Sequence, residues 1–210
     1  MEIGLVTLCS VYEAIRASYP TLPSAPPLPE RTRSVEFGLY RAAFSHLVSS
    51  IPDKPGIYLW FSQKLSCPTE FIYVGETRRQ GLQKRLKKEF TNWHHCFWAT
   101  CFHTDKYLAE AIEIYVVSNR YHPKRSKYTN SICSDWLKRG ATHIAYATGF
   151  PSKVNLKALQ DDLIQLFGNP RGNIADLRAF PLDRSKMLPI ATKTHEKFLL
   201  VAQSTDIYHF

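Results

Sequence analysis

Arg85 and Glu89 stand four residues apart in Leu82-Gln83-Lys84-Arg85-Leu86-Lys87-Lys88-Glu89-Phe90, where Leu82, Leu86 and Phe90 recur at helical spacing. Side chains at i and i+4 share a face, so this charged pair lies beside the apolar stripe and looks over the rim of the core. A second concentration of chemistry is Arg120-Tyr121-His122-Pro123-Lys124-Arg125-Ser126-Lys127-Tyr128, which interleaves cations with aromatic rings. That mixture suits phosphate contacts and base stacking, and it equally suits a solvated basic loop. A third concentration holds His94, His95, Cys96, Cys101 and His103, residue types that ligate zinc. Their spacing fits no ribbon or finger, so buried aromatics with incidental histidines is the preferred reading.

The helix that carries Arg85 needs a partner surface, and the residues ahead of it supply one. Gly56-Ile57-Tyr58-Leu59-Trp60 and Phe71-Ile72-Tyr73-Val74-Gly75 are rich in β-branched and aromatic residues and flank a polar segment with Ser66 and Pro68. This pattern predicts a two-strand hairpin, toward which Arg85 and Glu89 would face. Taken in order, Gly56-Ile57-Tyr58, Tyr73-Val74-Gly75 and the arginine of a Leu-x-x-Arg-Leu-x-x-x-Phe helix resemble the opening of the GIY-YIG nuclease domain. That domain is found in excision-repair, homing and some restriction endonucleases. The resemblance covers Pro55 to Phe90.

Phosphodiester hydrolysis needs a deprotonated water in line with the bond, positive charge on the phosphate and relief of charge on the leaving oxygen. The resemblance implies that Tyr58 and Tyr73 poise the water and phosphate, and that Arg85 binds phosphate oxygens through its planar fork. The bland alternative makes both tyrosines strand-core residues with satisfied hydroxyls. Glu89 stands where the family carries a tyrosine or histidine. A carboxylate there can act as general base or pair with Arg85, but it cannot donate as a neutral imidazole or phenol does.

The resemblance also implies one divalent cation per site, Mg2+ or Mn2+, held by a glutamate on a later helix. The order strand, Leu159-Gln160-Asp161-Asp162-Leu163-Ile164, Pro170, Asn173 matches the family's order and places that position on Gln160, which is uncharged. Gln160 shares a helical face with Leu156, Leu163 and Phe167. The alternative puts the third strand at Phe97 to Phe102 and the metal carboxylate at Glu110 or Glu113, the polar positions of the otherwise apolar run Tyr107 to Ser118. The Gln160 placement is preferred, and it makes residues 91–141 an insertion.

A chain of 210 residues is long enough to bury a core without disulfides. Its formal charge of +9 favours a polyanionic partner, because lysine and arginine displace counterions from phosphates. Five cysteines with no Cys-x-x-Cys pair read as reduced thiols in a cytoplasmic protein. No apolar run reaches the ~20 residues of a spanning helix, and the acidic lead in MEIGLVTLCSVYEAI argues against a secretory signal.

Residues 1–19 predict an amphipathic helix on Leu5, Leu8, Val11, Tyr12 and Ile15. Residues 20–33 hold five prolines and predict an extended linker. Helices are expected over 34–50, 134–140, 156–167 and near 194–201, and a strand over 142–149.

The fold class expected is α/β: a small three-stranded antiparallel sheet flanked by helices, with an N-terminal helical extension over 1–50, a nuclease-like domain over 51–175 and a C-terminal extension over 176–210. The function expected is a metal-dependent endonuclease on double-stranded DNA, most like a type II restriction enzyme and homodimeric, with no membrane association. Arg78, Arg79, Lys84, Lys124, Arg125, Lys127 and Asn173 are the expected DNA contacts. The alternative is a catalytically weak or inactive nuclease-fold protein that binds DNA.

Overall fold

Glycines, β-branched residues and aromatics alternate with helix-spaced leucines along this chain, and its elements follow that division. The computed structural model describes residues 1–8, 10, 35–63, 67–91, 141–170, 173, 182 and 185–205, with side chains at all of these except 35–41 and 88–91. In chain order the elements are β1 (Glu2–Thr7), α1 (Val35–Val48), β2 (Gly56–Ser62), β3 (Glu70–Thr77), α2 (Leu82–Thr91), β4 (His143–Thr148), α3 (Leu156–Leu166) and α4 (Leu188–Gln203).

The strands form one antiparallel sheet in the order β1-β4-β2-β3. Every residue of β2 is buried, as a central strand covered on both faces requires. On one face Ile57, Leu59 and Phe61 of β2, Val74 of β3 and Ala145 and Ala147 of β4 pack against Leu159 and Leu163 of α3 and Phe198 of α4. Phe71 extends this layer, its ring 4.6 Å from that of Phe167.

Helix α3 begins where Asn155 Oδ1 accepts the backbone N–H groups of Lys157 and Ala158 at 3.1 and 3.2 Å. A short polar side chain at this position satisfies amides that the first helical turn leaves open. The helix stops at Gly168 and Asn169, both at positive φ (73° and 57°), and Asn169 N–H donates back to Ile164 O at 2.8 Å. Helix α4 is tied to α3 through Ser185, whose Oγ donates to Asp162 Oδ2 at 2.5 Å and accepts Met187 N–H at 3.1 Å.

By contacts between residues the chain divides into two compact units. One is Met1–Thr7, Ile51–Arg85 and Ala141–Phe210; the other is Leu8–Ser50 and Leu86–Gly140. The first holds the whole sheet, α3 and α4, so the helix expected in a C-terminal extension belongs to the core of the sheet unit. In the second, Phe44 and Val48 of α1 are buried.

Two expectations are corrected. The sheet has four strands where three were expected, and the added one, β1, lies inside the segment expected to be helical. Ile3 and Leu5 satisfy a strand's period of two by facing the same core as β4, and pairing of Glu2–Thr7 with His143–Thr148 overrides the helical spacing of the leucines. Among the described residues no helix is long and apolar enough to cross a membrane. The expected strand at 97–102 and helix at 134–140, and the histidine and cysteine cluster, fall outside the described residues.

Candidate phosphate-binding site

Tyr58 sits in the middle of β2, opposite Gly75 of β3 on one side and Tyr146 of β4 on the other. Its ring lies flat against Gly75: a Cβ there would come within 2.0 Å of Tyr58 Cζ. Tyr146 leans the other way, over Gly4 of β1, where a Cβ would meet its hydroxyl at 2.2 Å. Each tyrosine thus uses a glycine on the adjoining outer strand as the space for its ring, and the two hydroxyls diverge. The Tyr146 hydroxyl has its pKa raised, by burial first and then by the negative charge of Glu2.

Tyr73 pairs with Trp60, two residues from Tyr58 in unbroken register, so it lies on the Tyr58 face, and an irregularity in β3 follows next to it. Trp60 pairs with Tyr73 but Phe61 pairs with Phe71, so Ile72 is an extra residue on the β3 side. This bulge lets Phe71 face the α3 core while Tyr73, two positions on, faces the other way. The Tyr58 and Tyr73 rings are then 6.0 Å apart and tilted by 49°.

Arg85 approaches from α2, whose first turn is anchored to the segment before β2. Leu82 N–H donates to Lys54 O at 3.1 Å, and Gln83 Nε2 donates to Ile51 O at 2.7 Å. Leu82 and Leu86 are fully buried, which sets the rotation of the helix. Arg85 Nε donates to Tyr58 Oη at 3.3 Å. Tyr58, Tyr73 and Arg85 therefore come together, with the Tyr58 ring fully buried and Tyr73 and Arg85 half-buried. A phenol oxygen accepting from Nε fixes the orientation of the guanidinium.

Gln160 and Asn173 both bond the backbone of Val74. Gln160 is buried on α3, its Nε2 donating to Val74 O at 2.8 Å and its Oε1 accepting from Lys157 Nζ at 3.0 Å. Asn173 is also buried, accepting Val74 N–H and donating to Val74 O, each at 2.8 Å. Among the described residues β3 is an outer strand, and on its open side the two amides bond Val74. Asn173, expected as a DNA contact, is instead enclosed in the protein, since a buried amide with both ends bonded to Val74 has no surface to offer. A divalent cation at Gln160 Oε1 would face the Lys157 ammonium, itself paired with Asp161 Oδ1 at 2.8 Å. An uncharged oxygen beside an ammonium does not fit Mg2+ or Mn2+. Among the described residues no three His, Cys, Asp or Glu side chains gather into a metal-binding group.

No protein-family model, curated protein or solved structure matches this chain.

Arg78, Arg79 and Lys84, expected to meet DNA, are all exposed around the start of α2. Arg78 Nε is paired with Glu76 Oε1 at 3.0 Å. Glu89 lies on α2, but its side chain is outside the described set, as are Glu110, Glu113, Lys124, Arg125 and Lys127. Sequence reasoning missed the pairing of each tyrosine with a glycine, and it missed Val74, whose backbone, not its side chain, is the group recognised. Gly4 and Gly75 in strand-forming surroundings were the available signal for the first; the second left none.

His143 is buried beside Phe61, ring centroids 5.0 Å apart, and its Nδ1 is 2.6 Å from Thr142 Oγ1. Burial lowers its pKa to about 4, so it is a neutral core residue near pH 7.

Proposed function

We propose that this chain is a DNA endonuclease of the GIY-YIG type, hydrolysing phosphodiester bonds of duplex DNA in the manner of a restriction enzyme. The observation that carries the reading is the meeting of Arg85 with Tyr58 and Tyr73, three residues from separate elements joined by a 3.3 Å hydrogen bond and a 6.0 Å ring contact. In this reading the half-buried Arg85 guanidinium holds a phosphate oxygen and Tyr73 lies beside that phosphate. Tyr58, enclosed by the sheet, is a positioning residue that orients Arg85. The net charge of +9 and the exposed Arg78, Arg79 and Lys84 supply attraction for the polyanion. A homodimer is the economical way to cut both strands of a symmetric site.

A second reading is favoured by Gln160. With its amide committed to Val74 and Lys157, this residue offers no carboxylate to a cation, which points to a nuclease-fold protein that binds DNA with weak or no cleavage. Supercoiled plasmid incubated with Mg2+ or Mn2+ separates the two. Cleavage by the unaltered chain and its loss in Arg85→Ala support the nuclease; duplex binding without cleavage supports the second reading. Plasmid left intact with no retention of DNA removes both.

A further inference from the structure

Between the start of β2 and the loop joining β4 to α3 lies an open cleft of about 640 Å3, lined by Lys54, Pro55, Arg78, Phe150, Val154 and Asn155 among others. It combines two cationic side chains with apolar surface from proline, phenylalanine and valine. Both cations are exposed, and Glu76 holds Arg78 by its Nε, fixing the plane of the guanidinium at the cleft. The start of α3 adds no anion site of its own, because Asn155 Oδ1 already accepts the amides of Lys157 and Ala158. Lys54 and Arg78 are the two cationic side chains of the lining and supply the charge for an anion that enters.

The cleft is tied to the Arg85 site through the backbone. Lys54 O accepts the N–H of Leu82 at 3.1 Å, in the first turn of the helix that carries Arg85. We propose that this cleft takes a backbone phosphate of duplex DNA outside the Arg85 site, with the adjoining sugar against Pro55 and Val154. The proposal rests on the reading of the chain as DNA-directed and adds where a second phosphate goes.

The test is binding of a fluorescently labelled duplex by the full chain, followed by anisotropy over a salt series. The variants are Lys54→Ala, Lys54→Ala/Arg78→Ala, Arg85→Ala and, as a control, Lys193→Ala on α4, which does not line the cleft. Lys54→Ala leaves the Arg78–Glu76 pair in place, so it reads the cleft without releasing a carboxylate. Circular dichroism checks that each variant is folded, and substitutions at exposed positions usually are. Expected are a three- to tenfold loss of affinity on losing Lys54, a further loss in the double variant, and a salt slope shallower by ~0.9 for each phosphate contact removed. Unchanged affinity and slope in the double variant, while Arg85→Ala weakens binding, overturns the cleft and leaves the function standing. An unaltered chain that binds no duplex overturns both.

Discussion

Tyr58 lies over Gly75 so closely that a methyl group at position 75 would fall 2.0 Å from the ring carbon that bears the hydroxyl. The ring can leave this position only by giving up its hydrogen bond from Arg85, so the size of residue 75 governs the placement of the guanidinium. Gly75→Ala is expected to destabilise the protein by about 1–3 kcal/mol, the usual cost of overpacking, and to lower DNA binding with it. Urea unfolding and duplex binding of the same variant check this; unchanged stability would mean that the ring is free to move.

Tyr58→Phe keeps the ring and removes the hydroxyl that accepts the Arg85 Nε bond. Stability is expected to fall by about 1 kcal/mol or less, while DNA affinity or cleavage falls more than stability does. Arg85→Ala should cost about tenfold or more in affinity, as expected of a lost charge-assisted contact, and Arg85→Lys should not restore it, because an ammonium lacks the planar fork. Equal activity of the lysine variant would show that charge alone matters here.

Asn173 satisfies both backbone groups of Val74, and Gln160 bonds only the carbonyl. Asn173→Leu is therefore expected to cost about 2 kcal/mol or more, since it leaves a buried N–H without an acceptor. Gln160→Met should cost less, because Val74 O keeps the Asn173 bond. Exchange of the Val74 amide hydrogen should accelerate in the first variant and change little in the second. The reverse order would assign the clamp to the wrong residue.

His143 makes stability depend on pH. Burial holds its folded pKa near 4, below the 6.5 of the unfolded chain, so between these values the unfolded state binds the extra proton. The stability associated with neutral His143 is present above pH 6.5 and declines as pH falls from about 6.5 toward 4, by about 3 kcal/mol. His143→Phe, which retains a ring beside Phe61, should flatten this limb in denaturation curves recorded from pH 7 to pH 4. An unaltered slope would exclude His143 as its source.

Much of the fold was written locally. The hairpin of β2 and β3 followed from two β-rich runs, and α2 and α3 from leucines at helical spacing; these signals act between residues a few positions apart. Arg85 beside the apolar stripe of α2 was legible for the same reason, since i and i+4 geometry alone places it at the rim. Strand β1 was misread because the leucines of its segment also satisfy a helical period, and the choice between periods is made by β4, some 140 residues away. The tertiary structure also decided the use of Gln160 and Asn173. Their partner is the backbone of Val74, a group every residue carries and no pattern of side chains announces. The bulge at Ile72 that turns Phe71 toward α3 while Tyr73 stays on the Tyr58 face likewise arises from pairing between strands, so only the folded sheet brings both tyrosines onto one face with Arg85.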